Sequence, residues 1–489
     1  MFDGAEDPAP SRSSLPFHRG AEMAWVRTAA GAPYFVTDDG EPWTPIGYND
    51  SINWAELRPL YARRDLAAVE RHLRYVKANG ATCIRLMLEC LHGHNRLIES
   101  PLGVFRPRMV RLWDDLFALC AKVGLRVLLT PFDTFWTWIH WRRHPLNVAN
   151  GGPLHSPARM LLDPDAREAI KARLSFAVRR WGGSGALFAW DLWNEIHPAQ
   201  AEDSAEPFMA FIADLSQHVR RLELSLYGRS HPQTVSLFGP ELSGRPDMPI
   251  AEPIFRHPDL DFASIHIYAH GTIDDPADTV APAVDMGRIT AECLRETPPD
   301  RPFLDTEHGP IHTFKDRKKT LERRFDEEMF RHMQWAHLAS GGAGGGMRWP
   351  NRRPHRLTPG MHRAQGALAR FLPLIDWPRF RRRNVSDTLE AEVRDGAAAA
   401  FACADERQAV IYLLRRDALD ARGRVAPDGP VHALVRVPGL GAGAHRVTAV
   451  DPGTGEVVHG QTVEGGGGGL AFDTPPWRAE LVLAVTPAA

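Results

Sequence analysis

The sequence predicts an α/β protein built as a (β/α)8 TIM barrel followed by a small antiparallel β-sandwich domain. Two observations predict it. Eight short apolar runs lie between residues 43 and 350, and most are separated by segments with a helical, amphipathic period. After about residue 380 the helical period disappears, and strand-like runs alternate with Gly, Asp and Pro turns. Alternating strands and helices indicate parallel βαβ units, and eight such units close a barrel.

The predicted organisation has three parts: an N-terminal arm over residues 1–30, the barrel over 31–378 and the β-sandwich over 379–489. The arm is rich in Pro, Ser, Gly and Ala. It leads into "PYFVTDDGEPW", which predicts a hairpin with its turn at Asp39 and Gly40. An open, doubly wound sheet is the structural alternative to the barrel.

The candidate barrel strands are short apolar runs, several of which follow a helix that ends on glycine, a common C-terminal signal. In chain order they are "WTPIGYN" (43–49), "ATCIRLML" (81–88), "LRVLLTPF" (125–132), "LFAWDLW" (187–193), "QTVSLFG" (233–239), "DFASIHI" (261–267), "PFLDTE" (302–307) and "GGMRWP" (345–350).

Composition narrows the function classes. The chain is 44% hydrophobic and 24% charged, with a formal net charge of -2, which is typical of a soluble globular protein. That charge gives no general attraction to nucleic acid or to an anionic membrane, so neither is an expected partner. No run reaches the ~18 apolar residues of a membrane helix. The N-terminus shows no secretory signal, which favours a cytoplasmic location.

Cysteine and glycine patterns give no sign of a disulfide framework or a cofactor. The five cysteines are scattered and odd in number, as expected of free thiols. The glycine runs at 341–346 and 465–469 fit neither phosphate-binding motif, so we expect flexible turns there. No cofactor is predicted.

Two carboxylates follow candidate strands. Glu195 comes directly after "LFAWDLWN", and Glu307 ends "PFLDTE". In a parallel barrel the carboxyl ends of the strands surround one mouth, where active sites lie. Two carboxylates that face each other across a cavity are what glycosidic bond cleavage requires, one as acid and the other as nucleophile or base.

These motifs resemble clan A of the retaining glycoside hydrolases, and most closely glycoside hydrolase family 5. The resemblance rests on "WNE" after strand four, "EHG" after strand seven, "HIY" at strand six and the arginine of "CIRLML" at strand two. It covers roughly residues 33–375. Its order and strand-end placement are more specific than any single motif.

The resemblance implies a role for each matching residue. Glu195 would be the general acid/base and Glu307 the nucleophile, while Asn194 would bind the sugar 2-hydroxyl. The remaining matches would hold the nucleophile or the substrate: Arg85 and Tyr268 beside the nucleophile, His266 beside the nucleophile or substrate, and Trp349 under the sugar at the cleavage point. Neither a metal nor a cofactor is implied.

Several of these residues also have structural interpretations. His266 and Tyr268 share one face of a strand and could be a pair of satisfied core residues. Trp349 could pack in the core. Arg85 inside an apolar strand would be costly unless it is paired with a carboxylate, so we expect such a partner.

One feature departs from family 5, whose members commonly have a histidine after strand three. This chain has "LTPFDTFWTWIHW" there, in which Asp133 or His140 could substitute. The aromatic residues of this segment, Trp136 and Trp138 in particular, would suit stacking on sugar rings, with a lid packed on the barrel as the alternative. Paired histidines at 140 and 144 and in "HGH" (92–94) raise the possibility of zinc, but there is no HExxH motif and we predict no metal site.

The remaining acidic and aromatic residues of note do not match the family motifs. Asp191 is interpreted as structural, and Glu89 either as a substrate contact or as a salt-bridge partner; Glu241 stays open. In the C-terminal domain "DPGTGEVV" (451–458) resembles a turn of the β domains appended to clan A hydrolases, which commonly pack on the barrel. Trp477 and Phe472 are the aromatic residues there that would serve a separate carbohydrate-binding role.

The expected function is a retaining β-glycosidase that degrades a β-linked hexose glycan or oligosaccharide of the β-mannan or β-glucan type. A transglycosylase with the same catalytic residues and a non-catalytic carbohydrate-binding barrel are the alternatives. The sequence does not give the sugar, the linkage, endo or exo action, or the oligomeric state.

Overall fold

The computed structural model describes residues 23–89, 97–268, 273–311, 319–351, 353–466 and 468–488. Within these ranges the strands are β1 Val26–Thr28, β2 Phe35–Thr37, β3 Pro42–Trp43, β4 Gly47–Asp50, β5 Cys83–Met87, β6 Arg126–Thr130, β7 Leu187–Asp191, β8 Gln233–Thr234, β9 Ala263–Ile267, β10 Phe303–His308, β11 Met347–Arg348, β12 Arg383–Asn384, β13 Glu390–Arg394, β14 Ala398–Ala404, β15 Ala409–Arg415, β16 His432–Val437, β17 Gly443–Val450, β18 Val457–Gly465, β19 Leu470–Asp473 and β20 Glu480–Pro487.

The α-helices in the same ranges are α1 Arg58–Arg63, α2 Leu66–Ala78, α3 Pro107–Val123, α4 Phe135–Ile139, α5 Pro164–Trp181, α6 Phe208–Tyr227, α7 Gly239–Gly244, α8 Glu252–Phe255, α9 Ala281–Glu296, α10 Arg323–Ala339 and α11 Pro359–Phe371. Their ends follow the local sequence. The Asp65 side chain caps α2 by accepting a bond from the Ala68 N–H, and α3 ends at Gly124 in the left-handed conformation. None of the helices in the described ranges is long and apolar enough to cross a membrane.

Strands β4 to β11 form one parallel sheet in the order β8-β7-β6-β5-β4-β11-β10-β9. The two ends of this order meet, because Phe238, just after β8, forms a parallel bridge with His266 of β9. The His266 N–H donates to the Leu237 carbonyl at 2.8 Å. The sheet therefore closes on itself. The predicted barrel is confirmed, and the open doubly wound sheet is wrong.

The N-terminal hairpin closes the bottom of the barrel. Strands β1, β2 and β3 form an antiparallel sheet, with Gly40 in the left-handed conformation at the predicted turn. The fully buried ring of Phe35 packs edge-to-face on Phe188 and Phe262, at 5.1 and 5.5 Å between ring centroids. Both partners come from the amino-terminal side of the barrel strands. The hairpin thus covers the amino-terminal end of the barrel, and the predicted site residues lie at the opposite, carboxyl end.

The C-terminal strands form the expected antiparallel sandwich. A sheet in the order β12-β14-β15-β20-β17-β18 faces a second sheet, β13-β16-β19. Side chains of β15 alternate between two cores: Ile411 and Leu413 lie between the sheets, whereas Tyr412 and Leu414 belong to the core shared with the barrel. One sheet thus serves both as half of the sandwich and as a cover for the barrel helices.

Polar contacts fix the sandwich on α10. The Trp335 indole N–H donates to the Pro452 carbonyl at 3.0 Å, and Arg331 pairs with Glu480 at 2.6 Å. Pro452 belongs to the "DPGTGEVV" turn, which thus packs on the barrel.

The aromatic residues considered for a separate carbohydrate-binding role in the sandwich are not available for it. Trp477 and Phe472 are buried in the core between the two sheets, Phe472 from β19 and Trp477 from the segment before β20. That interpretation of the sequence is wrong.

The limits proposed for the three parts, at residues 30 and 378, stay predictions. Residues 1–22 of the arm lie outside the described ranges, and Val26–Thr28 already belongs to the hairpin sheet. The first strand of the sandwich sheets is β12, at Arg383–Asn384.

Removal of the Phe35 ring should destabilise the protein. We expect Phe35→Ala to lower the free energy of unfolding by about 3–5 kcal/mol, because it empties a packed aromatic cluster at the barrel floor. Urea denaturation followed by tryptophan fluorescence measures the change. Phe135→Ala, at a ring that is 45% exposed, is the matched control. Equal losses in the two variants would contradict the assigned role of the hairpin.

Candidate active site

The predicted site residues meet at the carboxyl end of the barrel. Arg85 lies in β5 and Glu307 in β10, while Asn194 and Glu195 follow β7 directly. Their side chains converge because the strands are parallel and their carboxyl ends surround one mouth. Sequence separations of more than 100 residues thus become direct contacts, as between Arg85 and Glu307.

Arg85 is the centre of this arrangement. Its guanidinium is buried and donates to Glu307 Oε2 at 2.9 Å, to Asp191 Oδ2 at 2.7 Å and to Asn194 Oδ1 at 2.5 Å. It also donates to Asn49 Oδ1 at 2.8 Å. A buried cation without partners would be costly, so these contacts are a condition for its presence. The prediction that Arg85 has a carboxylate partner is confirmed.

Asp191 holds the other side of the guanidinium. It is fully buried in β7, and its carboxylate also accepts from the Ser236 hydroxyl at 3.0 Å and the Ser236 N–H at 3.1 Å. The Thr130 hydroxyl donates to Asp191 Oδ2, which also accepts from the Ser236 hydroxyl, at 3.2 Å. The interpretation of Asp191 as a structural residue agrees with these contacts, but the sequence does not show that Arg85 is its partner.

Glu307 is surrounded by donors. Besides the Arg85 contact, its Oε1 accepts a hydrogen bond from the Tyr268 hydroxyl. Burial raises the pKa of Glu307 above its usual range, and Arg85 and Tyr268 oppose that rise by favouring the ionised form. The arrangement fixes the carboxylate and supports its negative charge.

Glu195 has a different environment. Its backbone is in the left-handed region, with φ 51°, which costs a non-glycine residue about 1–3 kcal/mol and is typical of functional sites. Burial raises the pKa of Glu195 to about 7, with Arg85 opposing. A carboxyl with that pKa can hold a proton near neutrality, as a general acid must.

His266 lies between the two carboxyl groups. Its Nδ1 is 2.8 Å from Glu195 Oε1 and 3.8 Å from Glu307 Oε2. Burial lowers the pKa of His266 to about 4, so the ring is neutral and its contact with Glu195 shares a single proton. The ring is therefore a site residue, and the alternative of a core pair with Tyr268 does not describe these contacts.

One ligand-capable atom from each of Glu195, His266 and Glu307 lies within 4.8 Å of the other two. Such a set can in principle hold a metal ion. Here, however, Glu307 Oε2 already accepts a hydrogen bond from the Arg85 guanidinium at 2.9 Å. A divalent cation bound at this oxygen would be repelled by the positive charge of Arg85. The close approach of two carboxylates therefore fits acid–base chemistry better than metal binding.

Asp133 lies just after β6, in the segment where the sequence departs from family 5, and whether it or His140 substitutes for the family's histidine stays a prediction. Its Oδ1 accepts from Asn194 Nδ2 at 2.9 Å, and its Oδ2 accepts from the Trp136 N–H at 2.8 Å. Burial raises the pKa of Asp133 to about 8, and the charge of Glu195 adds to the rise. Asp133 thus orients the Asn194 amide and accepts a backbone hydrogen bond at the start of the aromatic helix α4.

The aromatic segment forms the short helix α4. Trp138 is 40% exposed and Trp136 is partly buried, with its ring stacked on His140. Trp349 follows β11, is partly buried and packs edge-to-face on Trp54 at 4.7 Å between ring centroids. These rings flank the carboxyl end of the barrel, and their contact with a substrate stays a prediction.

The fold resembles that of known glycoside hydrolases. A solved structure described as a glycoside hydrolase superposes with a TM-score of 0.62 at 13% identity, over 95% of this chain and 97% of that one. A family 5 glycoside hydrolase from Bacteroides vulgatus gives 0.61 at 11% identity, over 96% of each chain. A family 5 mannosidase from Rhizomucor miehei gives 0.51 at 14% identity, over 68% of this chain and 86% of that one.

No protein-family model matches the chain. No curated protein matches it either. Identities this low establish the fold alone, and at that level the resemblance to family 5 is confirmed.

Glu89 and Glu241, whose roles the sequence does not decide, both have ion-pair partners. Glu89 pairs with Arg173 at 2.8 Å, so the salt-bridge interpretation describes it. Glu241 lies 3.2 Å from His197 and 3.0 Å from Arg245. The "HGH" motif at 92–94 lies outside the described residues.

Loss of the Asp191 carboxylate should destabilise the fold. We expect Asp191→Ala to lower the free energy of unfolding by about 3–5 kcal/mol, because it leaves part of a buried guanidinium unpaired. Urea denaturation measures it. Asp473→Ala, which removes an exposed pair with Arg394, should cost no more than about 1 kcal/mol. A loss as small for Asp191→Ala would show that Arg85 does not depend on this partner.

Proposed function

We propose that the protein is a retaining β-glycoside hydrolase that acts on a β-linked hexose glycan or oligosaccharide. One observation carries the proposal. An oxygen of the partly buried Glu195 and an oxygen of the buried Glu307 lie within 4.8 Å of each other; Glu195 has a pKa of about 7, and Glu307 is held by Arg85 and Tyr268. Retaining enzymes keep their carboxyl groups about 5–5.5 Å apart, whereas inverting enzymes need about 6.5–9.5 Å to admit a water molecule.

In the first step Glu195 donates its proton to the glycosidic oxygen as that bond breaks. Glu307 attacks the anomeric carbon from the opposite face and forms an ester with the sugar. Arg85 and Tyr268 suit Glu307 to this role because they orient the carboxylate and favour its ionised form. The leaving sugar departs as an alcohol.

In the second step Glu195, now ionised, removes a proton from water, which attacks the anomeric carbon and releases Glu307. Two inversions give net retention of configuration. The neutral His266 ring contacts Glu195 throughout and is suited to orient it in both protonation states.

Asn194 is suited to bind the sugar hydroxyl next to the anomeric carbon. Its amide oxygen is occupied by Arg85, and one of its two N–H groups is directed at Asp133. The second N–H is left for the substrate. Asp133 therefore takes part indirectly, because it determines which way the amide faces.

The substrate we propose is a glycan of the β-mannan or β-glucan type. The rings of Trp136 and Trp138 in α4 and of Trp349 after β11 suit stacking on the apolar faces of hexoses. Structures with this fold include an endo-β-1,4-mannanase from Thermotoga petrophila, with a TM-score of 0.50 at 14% identity over 89% of this chain and 92% of that one. Mannans are accordingly the first substrates to test.

Azide rescue distinguishes the two glutamates. With a dinitrophenyl β-glycoside, whose leaving group needs no proton, we expect Glu195→Ala to form the glycosyl ester and azide to release it as the β-glycosyl azide. Glu307→Ala lacks the nucleophile, so azide should instead attack directly and give the α-glycosyl azide. NMR of the product measures the anomeric configuration. On a natural glycan Glu195→Ala should lower kcat/KM by about 10²–10⁴-fold.

Glu392→Ala, at an exposed glutamate of β13, is the control and should keep full activity. Full activity of Glu307→Ala would contradict the mechanism. Products longer than the substrate, in excess of hydrolysis, would instead indicate transglycosylation.

The pH profile should follow the two carboxyl groups. Because Glu195 must be protonated, kcat/KM for a natural glycan should fall as the pH rises through about 7. Because Glu307 must be ionised and its pKa is raised, activity should also fall on the acid side, at a pH above the usual glutamate value of ~4.3. The alkaline limb should vanish for the dinitrophenyl substrate. A flat profile to pH 9 on the natural glycan would exclude Glu195 as the acid.

A further inference from the structure

A cavity of about 690 Å³ lies outside the barrel wall. Strand β4 forms its floor with Tyr48 and Asp50, helix α2 supplies His72, and helix α11 supplies His362. The catalytic mechanism uses none of these four side chains. Because all four side chains are polar and little exposed, we interpret the cavity as a ligand-binding site and not as a packing defect.

The cavity is separated from the catalytic centre by β4 itself. Successive side chains of a strand point to opposite faces. Asn49 points into the barrel and accepts from Arg85 at 2.8 Å. On the other face, the Tyr48 hydroxyl lies 2.8 Å from His72 Nε2, and Asp50 Oδ2 lies 3.5 Å from that hydroxyl.

The rim of the cavity is rich in arginine. Arg71 comes from α2, Arg323 from the start of α10, and Arg353 and Arg356 from the segment after β11. Arg323 pairs with Glu327 at 2.9 Å, and Arg356 lies 3.4 Å from Glu56. Arg71 and Arg353 form no ion pair with any carboxylate in the described ranges.

The groups at the floor do not balance this charge. Burial raises the pKa of Asp50 to about 8, so its carboxyl is mostly protonated at pH 7. Burial also lowers the pKa values of His72 and His362 to about 4, so both rings are neutral. The cavity therefore has a neutral, hydrogen-bonding floor beneath a positively charged rim.

We propose that this cavity binds a sugar that carries a carboxylate or phosphate group. The rim guanidinium groups of Arg71 and Arg353 would pair with the anion, as arginine commonly does with both groups. The protonated Asp50 and the neutral histidines offer donors and acceptors for sugar hydroxyls. The Tyr75 ring is 44% exposed at the cavity wall and provides a face for the sugar ring.

The size of the cavity favours a sugar over a bare anion. Small-molecule sites commonly span about 300–1,000 Å³, and a single phosphate ion would reach the rim without filling the floor. A ligand that combines an anion with hydroxyl groups would contact both the charged rim and the neutral floor. The proposal does not depend on the catalytic function of the barrel mouth.

The test is isothermal titration calorimetry on the full-length protein at low salt. The probes are glucose 6-phosphate and glucuronic acid, compared with glucose and inorganic phosphate. An oligosaccharide with a glucuronate substituent distinguishes an anionic glycan from a free anionic sugar. The test variant is the double substitution Arg71→Gln with Arg353→Gln, at two exposed side chains. The matched control is Arg74→Gln, also in α2 but paired with Glu70 and outside the cavity.

We expect at least one anionic sugar to bind, and the double variant to weaken it by about tenfold or more. Arg74→Gln and the catalytic variant Glu307→Gln should leave its Kd unchanged, and glucose should bind more weakly. Absence of binding by all three anionic sugars would overturn the proposal. So would a Kd that the double variant does not change, equal binding of inorganic phosphate, or binding lost in Glu307→Gln, which would assign the ligand to the catalytic centre.

Discussion

The buried guanidinium of Arg85 is the interaction on which the site depends. A cation inside the barrel is tolerated only if carboxylates and amide oxygens surround it, and those partners come from strands β4, β7 and β10 and the segment after β7. The four contacts together fix the positions of three strand ends, those of β4, β7 and β10. The requirement to satisfy one charge therefore sets the relative positions of Glu307, the proposed nucleophile, and of Asn194, which would bind the sugar.

Burial gives the two glutamates different properties although both are desolvated. Glu307 receives the Arg85 and Tyr268 hydrogen bonds, which favour its ionised form. Glu195 has a neutral histidine as its closest partner, so burial raises its pKa to about 7 with less opposition. The difference between the proposed acid and the proposed nucleophile thus results from which carboxylate the buried cation contacts directly. A second cation beside Glu195 would favour its ionised form as well and would remove this difference.

The sequence was sufficient for the barrel and for most of the site because both leave local signals. Apolar runs and helical periods mark the strands and helices, and Glu195 and Glu307 follow strands that the pattern identifies. The supporting contacts leave no such signal. Asp191 is 106 residues from Arg85, and Asp133 is 61 residues from Asn194, so only the pairing of strands β5, β6 and β7 in the folded sheet brings them together. The β8 run is predicted over seven residues, whereas only Gln233–Thr234 forms a regular strand, and Leu237 and Phe238 beyond it still pair with His266.

Strand β4 must be rigid because it borders both the catalytic centre and the outer cavity. Gly47 permits a close approach to β5, since a Cβ there would lie 2.5 Å from the Cys83 carbonyl oxygen. Asn49 donates to the backbone carbonyls of Thr306 and Met347, which ties β4 to β10 and β11. A shift of this strand by one residue would exchange its two faces and remove Asn49 from Arg85. The contacts that hold Arg85 and Glu307 in place therefore also hold the floor of the cavity in place.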